Sequence, residues 1–166
     1  MADLNDPRMA ALAPLTSRVR RDVTAVKRGG RQSWTDEPLT KLRLAQHLNG
    51  GPARGVCPIK PGESVTMVGL YDLDSHGGAT SWDRMAVTGA ALVDQLVLAW
   101  GCTPICFRSS GGRGIHVYLI WDAPQSARNV RRWMAGVLAY MGLKSGMRVV
   151  EHGEVEVFPK QDRVPE

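Results

Sequence analysis

The stretch PICFRSSGGRGIHVYLIW, residues 104–121, decides the fold. PICFRS (104–109) and GIHVYLIW (114–121) carry the β-branched and aromatic residues of short strands, and the glycines between them read as a tight turn. Successive strand side chains point to opposite faces. Ile115, Val117 and Leu119 therefore share one face and His116, Tyr118 and Ile120 the other. The apolar triplet belongs against helices, which leaves His116 on the opposite face. The turn itself carries Ser110, the amides of residues 111–114 and Arg113. Backbone N–H groups and a guanidinium fork are donors suited to phosphate oxygens.

Working outward, VTMVGLYDLD (65–74) reads as a strand that is apolar on both faces until its acidic end. SWDRMAVTGAALVDQLVLAWG (81–101) reads as a helix capped by Ser81 and stopped at Gly101. Ala86, Ala90, Leu92, Leu96, Leu98 and Ala99 are its candidate packing residues. APQSARNVRRWMAGVLAYMG (123–142) reads as a second helix with Val130, Met134, Val137 and Leu138 on one stripe. MRVVE (147–151) and EVEVF (154–158) read as short strands. The order from Val65 is β-α-β-β-α-β, the split βαβ arrangement. The expected class is α/β (α+β), with a ferredoxin/RRM-like core and a small N-terminal α/β extension. The first and third strands take the centre, the fourth lies beside the first, and helices cover one face and leave the other free.

On that free face the polar residues converge. Asp72 and Asp74, two apart at a strand end, point the same way about 6.5 Å from each other. Two carboxylates so close repel unless one is protonated or a cation lies between them. Hard oxygen ligands favour Mg²⁺ or Mn²⁺. Parity places His116 on one flank of the pair and Glu156, opposite in phase to Val155 and Val157, on the other.

Upstream, residues 1–34 read as a basic, partly helical arm ending in the breaker RGGRQS, with residues 35–166 as the main domain. The basic excess, net +5 in 166 residues, begins in Arg18, Arg20, Arg21, Lys27, Arg28 and Arg31, and favours an anionic partner such as nucleic acid. EPLTKLRLAQHLNG (37–50) reads as a short helix with Pro38 in its first turn and Gly50 at its end, RGVCPI (54–59) as a strand and KPGES (60–64) as a turn. Three cysteines form no disulfide framework and fit a reducing compartment, so a cytoplasmic location is expected. Cys57, Cys102, Cys106 and His47 match no zinc-knuckle spacing, and buried thiols are expected, Cys106 in a buried strand. The longest apolar run, AVTGAALVDQLVLAW, is too short and too interrupted to span a bilayer, so no membrane is expected as a partner.

Taken together, the chain resembles the archaeo-eukaryotic primase (primase-polymerase) superfamily. That family's first motif, Asp-x-Asp on a strand, is matched by YDLDSH at Asp72 and Asp74. Its second, a Ser followed six residues later by His across a Gly/Arg turn, is matched by SGGRGIH at Ser110, Arg113 and His116. Its third, an acid on a late strand, is matched by VEVFPK at Glu156. HLNG, RGVCPI and VFPKQDRVPE further resemble the branch found in mobile elements and conflict systems, over roughly residues 38–166. The resemblance implies template-directed nucleotidyl transfer on DNA. Asp72, Asp74 and Glu156 would be the catalytic metal ligands for Mg²⁺ or Mn²⁺. Ser110, Arg113 and His116 would bind the phosphates of a nucleoside triphosphate, with Lys160 adding a charge.

In that branch the segment like FPKQDRVPE runs on into a further strand, whereas this sequence ends at Glu166. The expectation is a domain completed by further residues or by a second primase polypeptide, with a helicase as another candidate partner, and a fourth strand left as an open edge. Two other readings compete: a catalytically incomplete nucleic-acid-binding subunit of a split primase, and an RRM-like RNA-binding module. The RNA-binding motif needs aromatics where this chain has Ile115 and Val117. A phosphohydrolase using DLDS has no role for the Ser-Arg-His turn.

Overall fold

The computed structural model describes residues 3–28, 31–75, 78, 80–109, 112–149 and 153–165. In chain order its elements are α1 (Pro7–Thr16), β1 (Arg20–Arg28), β2 (Arg31–Thr35), α2 (Lys41–Leu48), β3 (Ala53–Cys57), β4 (Val65–Asp74), α3 (Trp82–Trp100), β5 (Ile105–Arg108), β6 (Gly114–Ser126), α4 (Ala127–Tyr140), β7 (Arg148–Val149) and β8 (Gly153–Phe158). They form a five-stranded sheet in the order β5-β6-β4-β8-β7 and a three-stranded sheet in the order β2-β1-β3. All pairings are antiparallel. The centre of the large sheet is the one expected: β4 and β6 in the middle and β8 beside β4. The expected open edge at β8 is instead paired with β7.

Tyr71 and Leu73 of β4, Val117 and Leu119 of β6, and Val155 and Val157 of β8 point to one side of the sheet. There they bury against Leu92 and Leu96 of α3 and Val130, Met134, Val137 and Leu138 of α4. The Tyr71 hydroxyl donates to the Met134 carbonyl at 3.1 Å, so this buried phenol is a packing residue with its polar end satisfied. Ser81 caps α3 by accepting from the Arg84 amide, and Gly101 ends it in the left-handed conformation, both as read from sequence.

Three local expectations are corrected. The inward stripe of α3 is Met85, Thr88, Gly89, Leu92 and Leu96, while Leu98 is 84% exposed and Ala90 and Ala99 face solvent. A Cβ on Gly89 would lie 3.1 Å from the Ile115 side chain, so small residues are what let α3 sit down on β6. Residues 123–126 continue β6 rather than starting α4, because Gln125 and Ser126 pair with Thr66 and Val65. Pro38 precedes the α2 cap, Thr40, whose hydroxyl accepts from the Arg43 amide.

Residues 1–34 also differ from the expected arm. Asp6 caps α1, with Pro7 at the first helical position. β1 and β2 form a hairpin, and β1 pairs on its other side with β3, which satisfies the backbone of a stretch whose charge suggested solvent. Arg20 bonds Asp22 at 2.6 Å, Arg21 donates to the Leu39 carbonyl and Arg18 lies 3.9 Å from Asp122, so much of the basic run is used within the fold.

This N-terminal unit also covers part of the face expected to be free. Leu15 and Val19 bury against Val68, with Leu12, Val56, Tyr118 and Ile120 packed around them. Among the described residues, the Asp72 end of that face stays partly exposed.

Candidate active site

Across the open end of the sheet, four residues fall in one row. Phe107 of β5 pairs with His116 of β6, His116 with Asp72 of β4, and Asp72 with Glu156 of β8. Register alone thus brings three segments, far apart in sequence, to adjacent strands on one face. His116 Nε2 stands 3.4 Å from Asp72 Oδ1, and both side chains are a little over a quarter exposed. Glu156 Oε1 accepts from Lys160 Nζ at 2.5 Å, and the same ammonium lies 4.8 Å from the centre of the Phe158 ring. Asp74 follows on the same face, opposite Gly114 and Glu154.

The next row behind is less polar. Tyr118, Leu70 and Phe158 are register partners there. The Tyr118 ring meets His116 and Phe107 edge-on, at centroid distances of 6.1 and 5.8 Å. Burial, with the charge of Asp72 second, holds the Tyr118 phenol protonated up to about 12.

The turn between β5 and β6 closes on itself. The Ser109 amide donates to the Gly114 carbonyl, the Gly112 amide to the Ser109 carbonyl, and Arg108 Nε to the Gly112 carbonyl at 3.0 Å. Gly112 has φ +68°, and a Cβ on Gly114 would meet the Leu73 carbonyl oxygen at 2.7 Å. Arg113 is exposed at the end of this turn, and its carbonyl accepts from the Ser75 amide. Ser110 lies outside the described residues. Of the site residues read from sequence, Asp72, Asp74, His116 and Glu156 are thus on one face, Lys160 is bonded to Glu156, and Arg113 is at the β6 end of the same region.

As ligands for a divalent cation the residues fit in chemistry: carboxylate oxygens on two adjacent strands, partly exposed. The carboxylates are not drawn round one point, because Glu156 is turned to Lys160 and Asp72 to His116. Among the described residues no three His, Cys, Asp or Glu side chains are gathered as ligands of one ion. The cysteines differ from the buried thiols expected: Cys57 and Cys102 are half-buried and Cys106 is exposed.

Comparison with known proteins now bears on the whole chain. Residues 13–166 match the family described as the TOTE conflict system archaeo-eukaryotic primase domain. The chain belongs to this family. Membership gives nucleotidyl transfer as the general class of chemistry of this primase domain. The match starts inside α1, so the three-stranded sheet falls within it, beyond the span of 38–166 read from sequence. The polymerase domain of Mycobacterium tuberculosis ligase D, solved in complex with DNA, shares the fold. It has a TM-score of 0.59 at 16% identity, covering 97% of this chain and 72% of that one. The AEP domain of the cyanophage S-2L primase-polymerase aligns with a TM-score of 0.49 at 16% identity, over 94% of this chain and 90% of that one. No curated protein matches. No described helix of the primase domain is long and apolar enough to cross a membrane.

Sequence reasoning missed a cleft beside the row. Ser75, Gly78, Thr80, Trp82, Met85, Gly112 and Arg113 line about 400 Å³ between the loop after β4 and the β5–β6 turn. The Ser75 hydroxyl donates to the Thr80 carbonyl at 2.6 Å and accepts from the Thr80 amide, which ties these two residues together. The signals in the sequence were Ser75 directly after Asp74, and Trp82 in the first turn of a helix that follows a catalytic-looking strand end.

Proposed function

We propose that this primase domain catalyses template-directed addition of nucleotides to DNA, as a primase or primase-polymerase. The observation that carries the reading is the single row His116–Asp72–Glu156 on three adjacent strands of the open sheet end. A 3′-hydroxyl attacks the α-phosphate of a nucleoside triphosphate, forming the new P–O bond. The bond to the β-phosphate breaks, pyrophosphate leaves, and the hydroxyl proton passes to solvent. Asp72, Asp74 and Glu156 are the residues that would hold Mg²⁺ or Mn²⁺. Such an ion, when bound, supplies charge neutralisation at the phosphates and a more acidic attacking hydroxyl.

The chain's own groups orient the nucleotide. His116 Nε2, 3.4 Å from Asp72 Oδ1, is assigned to a phosphate oxygen, and the exposed guanidinium of Arg113 to the outer phosphates. Ser110 is assigned the same role by the motif alone. Lys160, with half of its side chain exposed, is free to exchange Glu156 for a phosphate. The N-terminal unit, seated over Val68 and Ile120, closes the opposite end of the face and confines the reacting groups to the Asp72 row.

The test is incorporation of labelled nucleotide on a primed and an unprimed DNA template with Mn²⁺. Asp72→Ala and Asp74→Ala are each expected to lose about 100-fold or more while keeping the wild-type melting temperature. Full activity in both variants would remove the carboxylate assignment.

A second reading, a DNA-binding subunit without catalysis, is favoured by the Lys160–Glu156 pair, which neutralises one of the three carboxylates. It predicts template binding with no incorporation by the wild type. The RNA-recognition reading loses ground at Ile115 and Val117, which face the helices and leave no aromatic at the two positions that motif uses.

A further inference from the structure

We propose that the N-terminal end of α4, with the turn before β4 and the tail after β8, is a docking surface for the phosphate backbone of duplex DNA upstream of the reacting 3′ end. The proposal rests on the nucleotidyl-transfer reading in taking DNA as the ligand and the Asp72 row as the place of reaction.

Three segments far apart in sequence are tied together there. The Ala127 amide, first in α4, donates to the Ser64 carbonyl at 2.9 Å. The Gly62 amide donates to the Val164 carbonyl, and the Val164 amide to the Glu63 carbonyl. Arg131 donates from Nη2 to Asp162 at 2.6 Å and from Nη1 to the Lys160 carbonyl at 3.2 Å. Lys60, Arg128, Arg132 and Arg163 are carried on this seam, all exposed. The acids of the same segments are Asp162, taken by Arg131, and Glu63. Among the described residues the four exposed cations have no ion-pair partner.

The arginines are also placed against the field of their own helix. Arg128 stands in the first turn of α4, where the dipole disfavours a cation, with Arg131 and Arg132 in the next, and α4 has no acidic residue to offset them. Packing does not require them there, because the buried stripe is Val130, Met134, Val137 and Leu138. An anion arriving from outside relieves both their mutual repulsion and their clash with the dipole.

The chemistry of that anion follows from the patch. Arg128 and Arg132, one turn apart, have Cβ atoms about 6 Å from each other, a spacing comparable with that of neighbouring phosphates on one strand. Their guanidinium forks match phosphate oxygens. Trp133, the aromatic in this half of α4, is turned to Trp100 and Trp121, so the patch offers charge without a ring for a base. That suits a backbone whose bases are already paired rather than a single strand, which is held by stacking as well.

Distance says which part of the duplex. β4 begins at Val65, about 23 Å along the strand from Asp72. Duplex DNA covers that length in about seven base pairs. Residues 159–164 run from the end of β8, the strand that carries Glu156, to this seam, so row and patch are joined along one flank.

The experiment measures binding of labelled DNA hairpins with a 5′ template overhang and stems of about 4 and about 12 base pairs, shorter and longer than the stretch that reaches the patch, over a series of salt concentrations. Arg128→Gln/Arg132→Gln is expected to bind the long stem roughly 10-fold more weakly, and its slope of log affinity against log salt is expected to fall by about 1.8, the loss of two phosphate contacts. Its affinity for the short stem and for labelled nucleoside triphosphate, and its melting temperature, are expected to be those of wild type. Arg128→Lys/Arg132→Lys is expected to keep most of the long-stem affinity. Unchanged affinity and slope on the long stem overturn the proposal, and so does an equal loss on both stems. An affinity for polyglutamate that equals that for the long stem and depends on the same two arginines overturns it in favour of an acidic protein partner. Absence of nucleotide incorporation alongside an arginine-dependent preference for the long stem would fail the catalytic reading and leave the docking surface standing.

Discussion

The two ends of one sheet face are built from the same two strands with the same parity, yet they have opposite characters. At one end, Val68 of β4 and Ile120 of β6 are register partners sealed under Leu15 and Val19. At the other, Asp72 and His116 are register partners left more than a quarter exposed. Parity decides only which side chains share the face. What covers the face is decided by residues outside both strands, Leu15 and Val19 of the N-terminal stretch and Val56 of β3, which reach one end and not the other. The polar row is tolerated because it stays wet at its edge: buried carboxylates without partners would cost far more than the fold could offset.

That difference gives the largest expected contrast between two substitutions. Asp72→Asn removes a charge from the open end and should lower nucleotide incorporation by about 100-fold with melting unchanged. Leu15→Ala opens a cavity at the covered end and should cost about 2–3 kcal/mol in denaturant unfolding. In that variant, activity should be restored whenever the folded fraction is. A loss of activity in folded Leu15→Ala protein would show that the N-terminal unit shapes the site as well as capping the sheet.

Much of the open end was legible because its logic is local. Period-two alternation around Val117 and Val155 fixes the faces, and the caps Ser81 and Gly101 fix α3. The covered end was not legible. β1 has three consecutive buried residues, Thr24, Ala25 and Val26, so no alternation announces a strand, and its arginines look like solvent contacts until Asp22 and the Leu39 carbonyl are seen beside them. The outer face of α3 misled for a related reason. A search for large apolar residues picks Leu98, whereas close packing on Ile115 requires Thr88 and Gly89 inward. The cleft was missed because it joins two turns that have no periodicity.

A smaller effect should separate His116 from the covered end of its own strand. His116→Ala removes one donor beside Asp72 and leaves the Val117–Leu119 packing in place. Nucleoside triphosphate affinity should fall roughly 10-fold, the value of a hydrogen bond to a charged group, with labelled template bound as before. Parallel titrations of the two ligands decide it: equal losses would make His116 a structural residue of the row.

The smallest expected effect reads the boundary between the two ends, where Tyr118 belongs to both. Its ring packs with Leu15, Val19 and Val68 on one side and against His116 on the other. Burial is the first cause of its raised pKa, about 12, and the Asp72 charge the second. The phenol absorbance change of wild type minus that of Tyr118→Phe isolates this residue, since Tyr71 is also pushed up by burial. Asp72→Asn should bring the Tyr118 midpoint down, but not as far as the ordinary value near 10, because the packing by α1 remains. Leu15→Ala, which loosens that packing, should lower it through the first cause instead. A raised phenol pKa means that the folded chain keeps a proton the unfolded chain has lost. The Tyr118 contribution to stability is therefore constant below about pH 10, falls as pH rises from about 10 to about 12, and is constant again above. A Tyr118 midpoint unmoved by Asp72→Asn would show that the carboxylate row and the covered end are electrostatically separate, with water screening the row more fully than its burial suggests.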